Sequence, residues 1–117
     1  CVGAGIGLDQ LRNGLELEAC ALFPATLPNS ARPPAENALR ARCLILHGSA
    51  DPVTPKEAID TLENELSAAG VDWQTVMFAG GLHSFTERYC NPGPAERYDE
   101  DATLKSYRLM NDFFLRW

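Results

Sequence analysis

The stretch CLILHGSADPVTPKEA, residues 43–58, decides the fold. Residues 43–46 are apolar without interruption, as in a parallel strand covered on both faces. The run ends at His47-Gly48, and three residues past the glycine stands an acid, Asp51. Thr54-Pro55-Lys56-Glu57 then has the form of a capping box, with a hydroxyl at the N-cap, proline at the first helical position and glutamate at the third. A helix that Thr54 starts has no need of Asp51 as its cap. The carboxylate is left over between a strand end and a helix start. Taken alone, Asp51 before Pro52 also fits an Asx-turn.

Outward from that stretch the pattern repeats. Residues 16–23, ELEACALF, follow the turn signal Asn13-Gly14 and read as a strand. Residues 71–78, VDWQTVMF, alternate in polarity and suit a strand nearer a sheet edge. The apolar stripe Ala58, Ile59, Leu62, Leu66 and Ala69 marks a helix over 55–69, and Gly70 sits where a C-terminal cap belongs. A final helix over 101–116 should bury Leu104, Tyr107, Met110, Phe113 and Phe114. A first helix covers 4–12, although Gly5 and Gly7 each cost about 1 kcal/mol there. Alternation of strand and helix indicates an α/β sheet with right-handed crossovers. The proline-rich connection PATLPNSARPPAENALRA joins the first two strands, and there is no internal repeat.

The 117 residues, 45% hydrophobic and 22% charged, make one domain spanning 1–117. A net charge of −6 and a pI near 4.8 argue against nucleic acid. No apolar run reaches the roughly 20 residues of a membrane helix, so no membrane partner is expected. Cys1, Cys20, Cys43 and Cys90 lack the spacing of a zinc site, and no metal is expected. Cys20 and Cys43 read as small core residues, and a reduced, cytoplasmic setting is the expectation.

An acid just beyond a parallel strand lies where ligands bind in open α/β sheets. The next strand runs into FAGGLHSF, which puts His83 in the equivalent loop on the same sheet edge. If the strands are neighbours, Asp51 accepts a hydrogen bond from one imidazole nitrogen and orients the other toward a nucleophile. His47 ends its strand and reads as a structural or supporting residue. The nucleophile should precede the acid in the chain. By type it is Cys1, Ser30 or Ser49. Neither serine has the glycine-flanked turn of a nucleophile elbow. Cys1 has Gly3 two residues on and a helix following, which lowers a thiol pKa. The backbone N–H of Val2 would then donate to an oxyanion.

The ordered set CVGAG, LILHGSADPVTP, AAGVDWQTVMFAGGLHSFT and RYDEDATLKSYRLMNDFF resembles the carboxyl-terminal half of the dienelactone hydrolase family. The resemblance implies a partial α/β-hydrolase sheet of three parallel strands with flanking helices, lacking the earlier strands. It implies a Cys-Asp-His triad, matched here by Cys1, Asp51 and His83, acting on small ester or lactone substrates without metal or organic cofactor. Ser84 and Phe85 match substrate-binding positions. The family's carboxylate-binding arginine falls near Glu87, with Arg88 next to it.

In the family's order these three strands lie side by side, and the strand at 16–23 would have an open apolar edge. The expected partner is a second copy, as a homodimer, or an amino-terminal half joined through that edge. A different reading is a non-catalytic half-domain that serves assembly. A third, an N-terminal-nucleophile amidohydrolase using the α-amino group of Cys1, fits the terminal position but not the α/β pattern.

Overall fold

The computed structural model describes residues 2–24 and 41–115. The elements are α1 (Val2–Arg12), β1 (Ala19–Leu22), β2 (Arg42–Gly48), α2 (Lys56–Ala68), β3 (Trp73–Phe78) and α3 (Glu100–Leu115). The strands form one sheet in the order β1-β2-β3, and both pairings are parallel. β2 is central because its residues are apolar on both sides: Cys43, Leu44, Ile45 and Leu46 are all buried. β1 is shorter than the expected 16–23, since only Ala19 to Leu22 find partners, on Arg42 to Ile45.

Helices cover both faces. Cys43 and Ile45 join Leu8 and Leu11 of α1 and Ile59, Leu62 and Leu66 of α2 in one core cluster. Burying each such leucine or isoleucine contributes about 1.5–3 kcal/mol. Arg12 binds α1 to α2 through a bidentate pair with Glu65, both nitrogen–oxygen distances being 2.6 Å. The Glu65 carboxylate, more than Asp9, holds the Arg12 pKa above its ordinary value against the opposing effect of burial.

Both helices on this face end in Schellman motifs, which satisfy their last carbonyls. After α1, Gly14 (φ 89°) lets Leu15 N–H reach Gln10 O and its own N–H reach Leu11 O, each at 3.0 Å. Gly70 (φ 71°) does the same after α2, with Val71 N–H on Leu66 O and its own N–H on Ser67 O. The N-terminus of α2 departs from the capping box read in the sequence. Pro55, not Thr54, is the N-cap residue, and no side chain caps the helix. The Thr54 hydroxyl is buried without a partner among the described residues.

The buried face of α3 also departs from expectation. Ala102, Thr103 and Ser106 are buried, whereas Leu104, Tyr107 and Phe114 are 52%, 44% and 42% exposed. Hydrogen bonds, rather than the apolar period, select this face. Thr103 Oγ1 donates to Phe85 O at 3.0 Å, and Asp99 N–H donates to the same carbonyl at 2.9 Å. Those bonds require small side chains at the point of closest approach. Further along, Arg42 lies over the Phe113 ring at 4.7 Å and donates to its carbonyl. Among the described residues no helix is long and apolar enough to cross a membrane.

One contact sets the spacing between the ends of β2 and β3. Gly48 packs so tightly on Gly81 that a Cβ at position 48 would fall onto the Gly81 carbonyl group. Gly93 has open space around its Cα. Gly48→Ala should therefore cost about 1–3 kcal/mol in urea unfolding, while Gly93→Ala changes stability far less. Equal midpoints for the two variants would show that this approach is not tight.

Candidate active site

The loops after β2 and β3 are joined backbone to backbone. Ser49 N–H donates to Phe78 O at 2.9 Å, and Ala50 N–H donates to Gly81 O at 3.0 Å. Ser49 Oγ accepts from Gly80 N–H at 2.9 Å, so this serine ties the loops together and is not placed as a nucleophile. Asp51 follows at once, 7% exposed. Its Oδ1 accepts from Val53 N–H at 2.8 Å and Thr54 N–H at 3.0 Å. The Asx-turn is therefore present. It does not exclude the second role, because the other oxygen remains available.

That oxygen, Oδ2, lies 3.1 Å from Nδ1 of His83. The two side chains are 3% and 13% exposed. A buried carboxylate costs several kcal/mol unless its lone pairs are met, and here two backbone donors and an imidazole meet them. An ionised carboxylate only accepts, so it selects the ring form with a proton on Nδ1; in the neutral ring Nε2 then keeps its lone pair. His47 supports the same turn from beneath: its Nε2 is 2.8 Å from Thr54 O, with the ring 2% exposed.

His83 is held on its own side as well. Its N–H donates to Ala95 O, and its carbonyl accepts from Arg97 N–H, in an isolated bridge with residue Glu96. Ser84, next in the chain, adopts φ 56°, an uncommon conformation for a residue with a side chain. Glu87 N–H then closes the turn onto Ser84 O at 2.9 Å. Phe85 is buried between Phe78 and Phe23, at ring-centroid distances of 5.4 and 6.3 Å, and anchors the loop.

Asp51 and His83 face a cavity of about 440 Å³. Ser84, Phe85, Thr86 and Glu87 line it, and so do Gly3, Ala4 and Gly7 from the first turns of α1. Of the residues expected from sequence, Ser84 and Phe85 are therefore at the cavity. Arg88 is not among its lining residues and is exposed, because the turn closed by Glu87 carries the chain outward. Glu87 occupies the wall instead. Tyr107 of α3 also lines the cavity, although its place in the apolar stripe pointed to the core. Cys1 and Ser30 lie outside the described residues; α1 begins at Val2.

The model of the dienelactone hydrolase family matches residues 1–117. This chain belongs to the dienelactone hydrolase family. A comparison with curated proteins found no match. Among solved structures, the chain is similar to the dienelactone hydrolase-like promiscuous phosphotriesterase P91 from metagenomic libraries, at 27% identity and a TM-score of 0.88, covering 97% of this chain and 48% of that one. It is similar to m3DLH at 31% identity and a TM-score of 0.85, again over 97% and 48%. A putative dienelactone hydrolase from Klebsiella pneumoniae subsp. pneumoniae shares the fold at 21% identity, with a TM-score of 0.78 and coverage of 100% and 50%. This family member thus spans about half the length of the structures it matches. Its three parallel strands and flanking helices are part of the α/β-hydrolase fold of those dienelactone hydrolases.

The Asp51 bond dictates a tautomer that solution NMR can read. In the wild type at a pH where His83 is neutral, its imidazole ¹⁵N shifts should show the proton on Nδ1. Asp51→Ala should move the population toward the Nε2–H form that a free histidine side chain favours. An unchanged tautomer in the variant would show that the carboxylate does not orient the ring.

Proposed function

We propose that this chain carries the triad of a hydrolase acting on small, uncharged esters or lactones, with Cys1 as nucleophile, His83 as general base and acid, and Asp51 orienting His83. The observation that carries the reading is the 3.1 Å bond between Asp51 Oδ2 and His83 Nδ1, made by two strand-end loops in a dienelactone hydrolase family member. In the proposed reaction the Cys1 sulfur attacks the acyl carbon, and His83 Nε2 takes the thiol proton. The Val2 N–H, at the start of α1, donates to the oxyanion. The C–O bond to the alcohol breaks, and His83 returns the proton to the leaving oxygen. Water then gives a proton to His83 as its oxygen attacks the thioester, and the acid leaves with Cys1 restored.

Charge at the cavity supports an uncharged substrate. Asp51 and Glu87 line it, and no lysine or arginine does among the described residues. A substrate carboxylate would face Glu87 where an arginine would be needed. The likeness to the promiscuous phosphotriesterase P91 adds phosphotriesters to the substrates worth testing on this chain. As expected outcomes, a neutral p-nitrophenyl ester acylates Cys1, seen as an intact-mass adduct, and thiol alkylation of Cys1 abolishes turnover. His83→Ala should slow acylation by about 10²–10⁴-fold. Activity that persists unchanged in Cys1→Ala, or no acyl adduct on Cys1, would refute the assignment.

A specific feature favours a second reading, in which the half-fold works by assembly. β1 stands at the sheet edge among the described residues, and Leu104, Tyr107 and Leu115 expose apolar surface on α3. An edge strand of this kind recruits another strand, from a second copy or from an amino-terminal half. Sedimentation velocity at micromolar concentration should then show a dimer. A well-folded monomer would count against self-association.

A further inference from the structure

The proposed triad leaves unused a pair of thiols in the sheet. Cys20 of β1 and Cys43 of β2 are direct partners in the parallel register, and their sulfur atoms are 3.2 Å apart. Both are free thiols. Neighbouring strands lie about 4.8 Å apart, inside the Cα separation of about 4.4–6.8 Å that a disulfide spans. Closing the sulfurs to bonding distance takes a movement of about 1 Å. From the sequence both read as small core residues. Cys43 fits that description, being 0% exposed. Cys20 fits it in part: it packs against the core cluster, but it is only half-buried and forms part of the wall of the cavity that holds Asp51 and His83.

We propose that Cys20 and Cys43 form an oxidisable dithiol, a modification site that takes a peroxide and closes to a disulfide between β1 and β2. The two thiols have different roles because only one is reachable. A peroxide entering the cavity meets Cys20, and Cys43 is accessible only to Cys20. The electrostatics point the same way: the Cys43 S–H hydrogen bond lowers the Cys20 pKa below the ordinary thiol value, while Cys20 first and burial second raise that of Cys43. Cys20 is therefore the thiol of the pair that ionises more readily.

The steps balance. The Cys20 thiolate attacks one peroxide oxygen, the O–O bond breaks, and hydroxide leaves, giving a sulfenic acid at Cys20. Removal of the thiolate charge removes the main cause that holds the proton on Cys43. The Cys43 sulfur then attacks the Cys20 sulfur, the S–O bond breaks, and water leaves with the Cys43 proton. Two thiols are oxidised and one peroxide is reduced. The bond fastens β1 to the central strand and encloses the proline-rich connection in a covalent loop.

The test is titration of the full chain with hydrogen peroxide, followed by peptide mapping without reduction. The expected product has lost two thiols and two hydrogens of mass, carries a Cys20–Cys43 linked peptide, and reverts with dithiothreitol. Cys43→Ser should stop at a Cys20 sulfenic acid that dimedone traps, and the wild type should give little of that adduct. The proposal is overturned if the wild type links Cys20 or Cys43 to Cys1, Cys90 or another chain. It is equally overturned if Cys20 proceeds to sulfinic acid, or neither thiol reacts, with no Cys20–Cys43 link. The wild-type map decides the matter even if the serine variant folds poorly.

Discussion

The close approach of Gly48 to Gly81 is the contact on which the arrangement of the site rests. Two peptide units from the ends of adjacent parallel strands meet where any side chain would hold them apart. Because they meet, Ser49, Ala50 and Gly80 can bond across the gap, and the two loops become one rigid ledge. Asp51 and His83 project from that ledge, separated by 32 residues in sequence and by a single hydrogen bond in space. The geometry comes from backbone packing, so long side chains lose little conformational freedom in making it.

The ledge is braced from several directions. His47 and the Asx-turn fix the acid, and the bridge to residues 95–97 fixes the backbone of the histidine. Phe85 pins the histidine loop into an aromatic group, and α3 closes on the Phe85 carbonyl through Thr103 and Asp99. Each hydrogen-bonded brace satisfies a polar group that would otherwise be unpaired, so it serves stability and orientation together. The positive φ of Ser84 is the strained link in the ledge, and it directly follows the residue proposed to move protons.

Chemically, the cavity joins two carboxylates, the imidazoles of His47 and His83 and, at one wall, the Cys20 thiol with Cys43 behind it. Its lack of a basic side chain among the described residues separates it from the carboxylate-binding site that resemblance alone implies. Arg88 looked suited to that task from its position in the chain. Its neighbour Glu87 takes the wall because a turn, not a helix or strand, determines which side chain faces inward there.

Much was already determined by the sequence. The continuous apolar run at 43–46 requires a central parallel strand, Asn13-Gly14 and Gly70 require helix stops, and the stripe Ile59, Leu62, Leu66 requires a buried helix face. These are local rules, in which neighbours a few residues apart settle conformation. The pairing of an acid and a histidine at successive strand ends was readable for the same reason, since strand order in a short α/β chain leaves few alternatives. Tertiary structure alone decided what depends on distant partners. Asp51 serves a turn and an imidazole at once because a carboxylate has two oxygens and the fold presents donors to both. Thr54 loses the cap to Pro55 and gives its N–H to Asp51, and α3 turns small residues inward against its apolar period, because hydrogen bonds to the Phe85 carbonyl outweigh a stripe. Arg12 finds Glu65, and Cys20 finds Cys43, only when helices and strands distant in the chain are laid side by side.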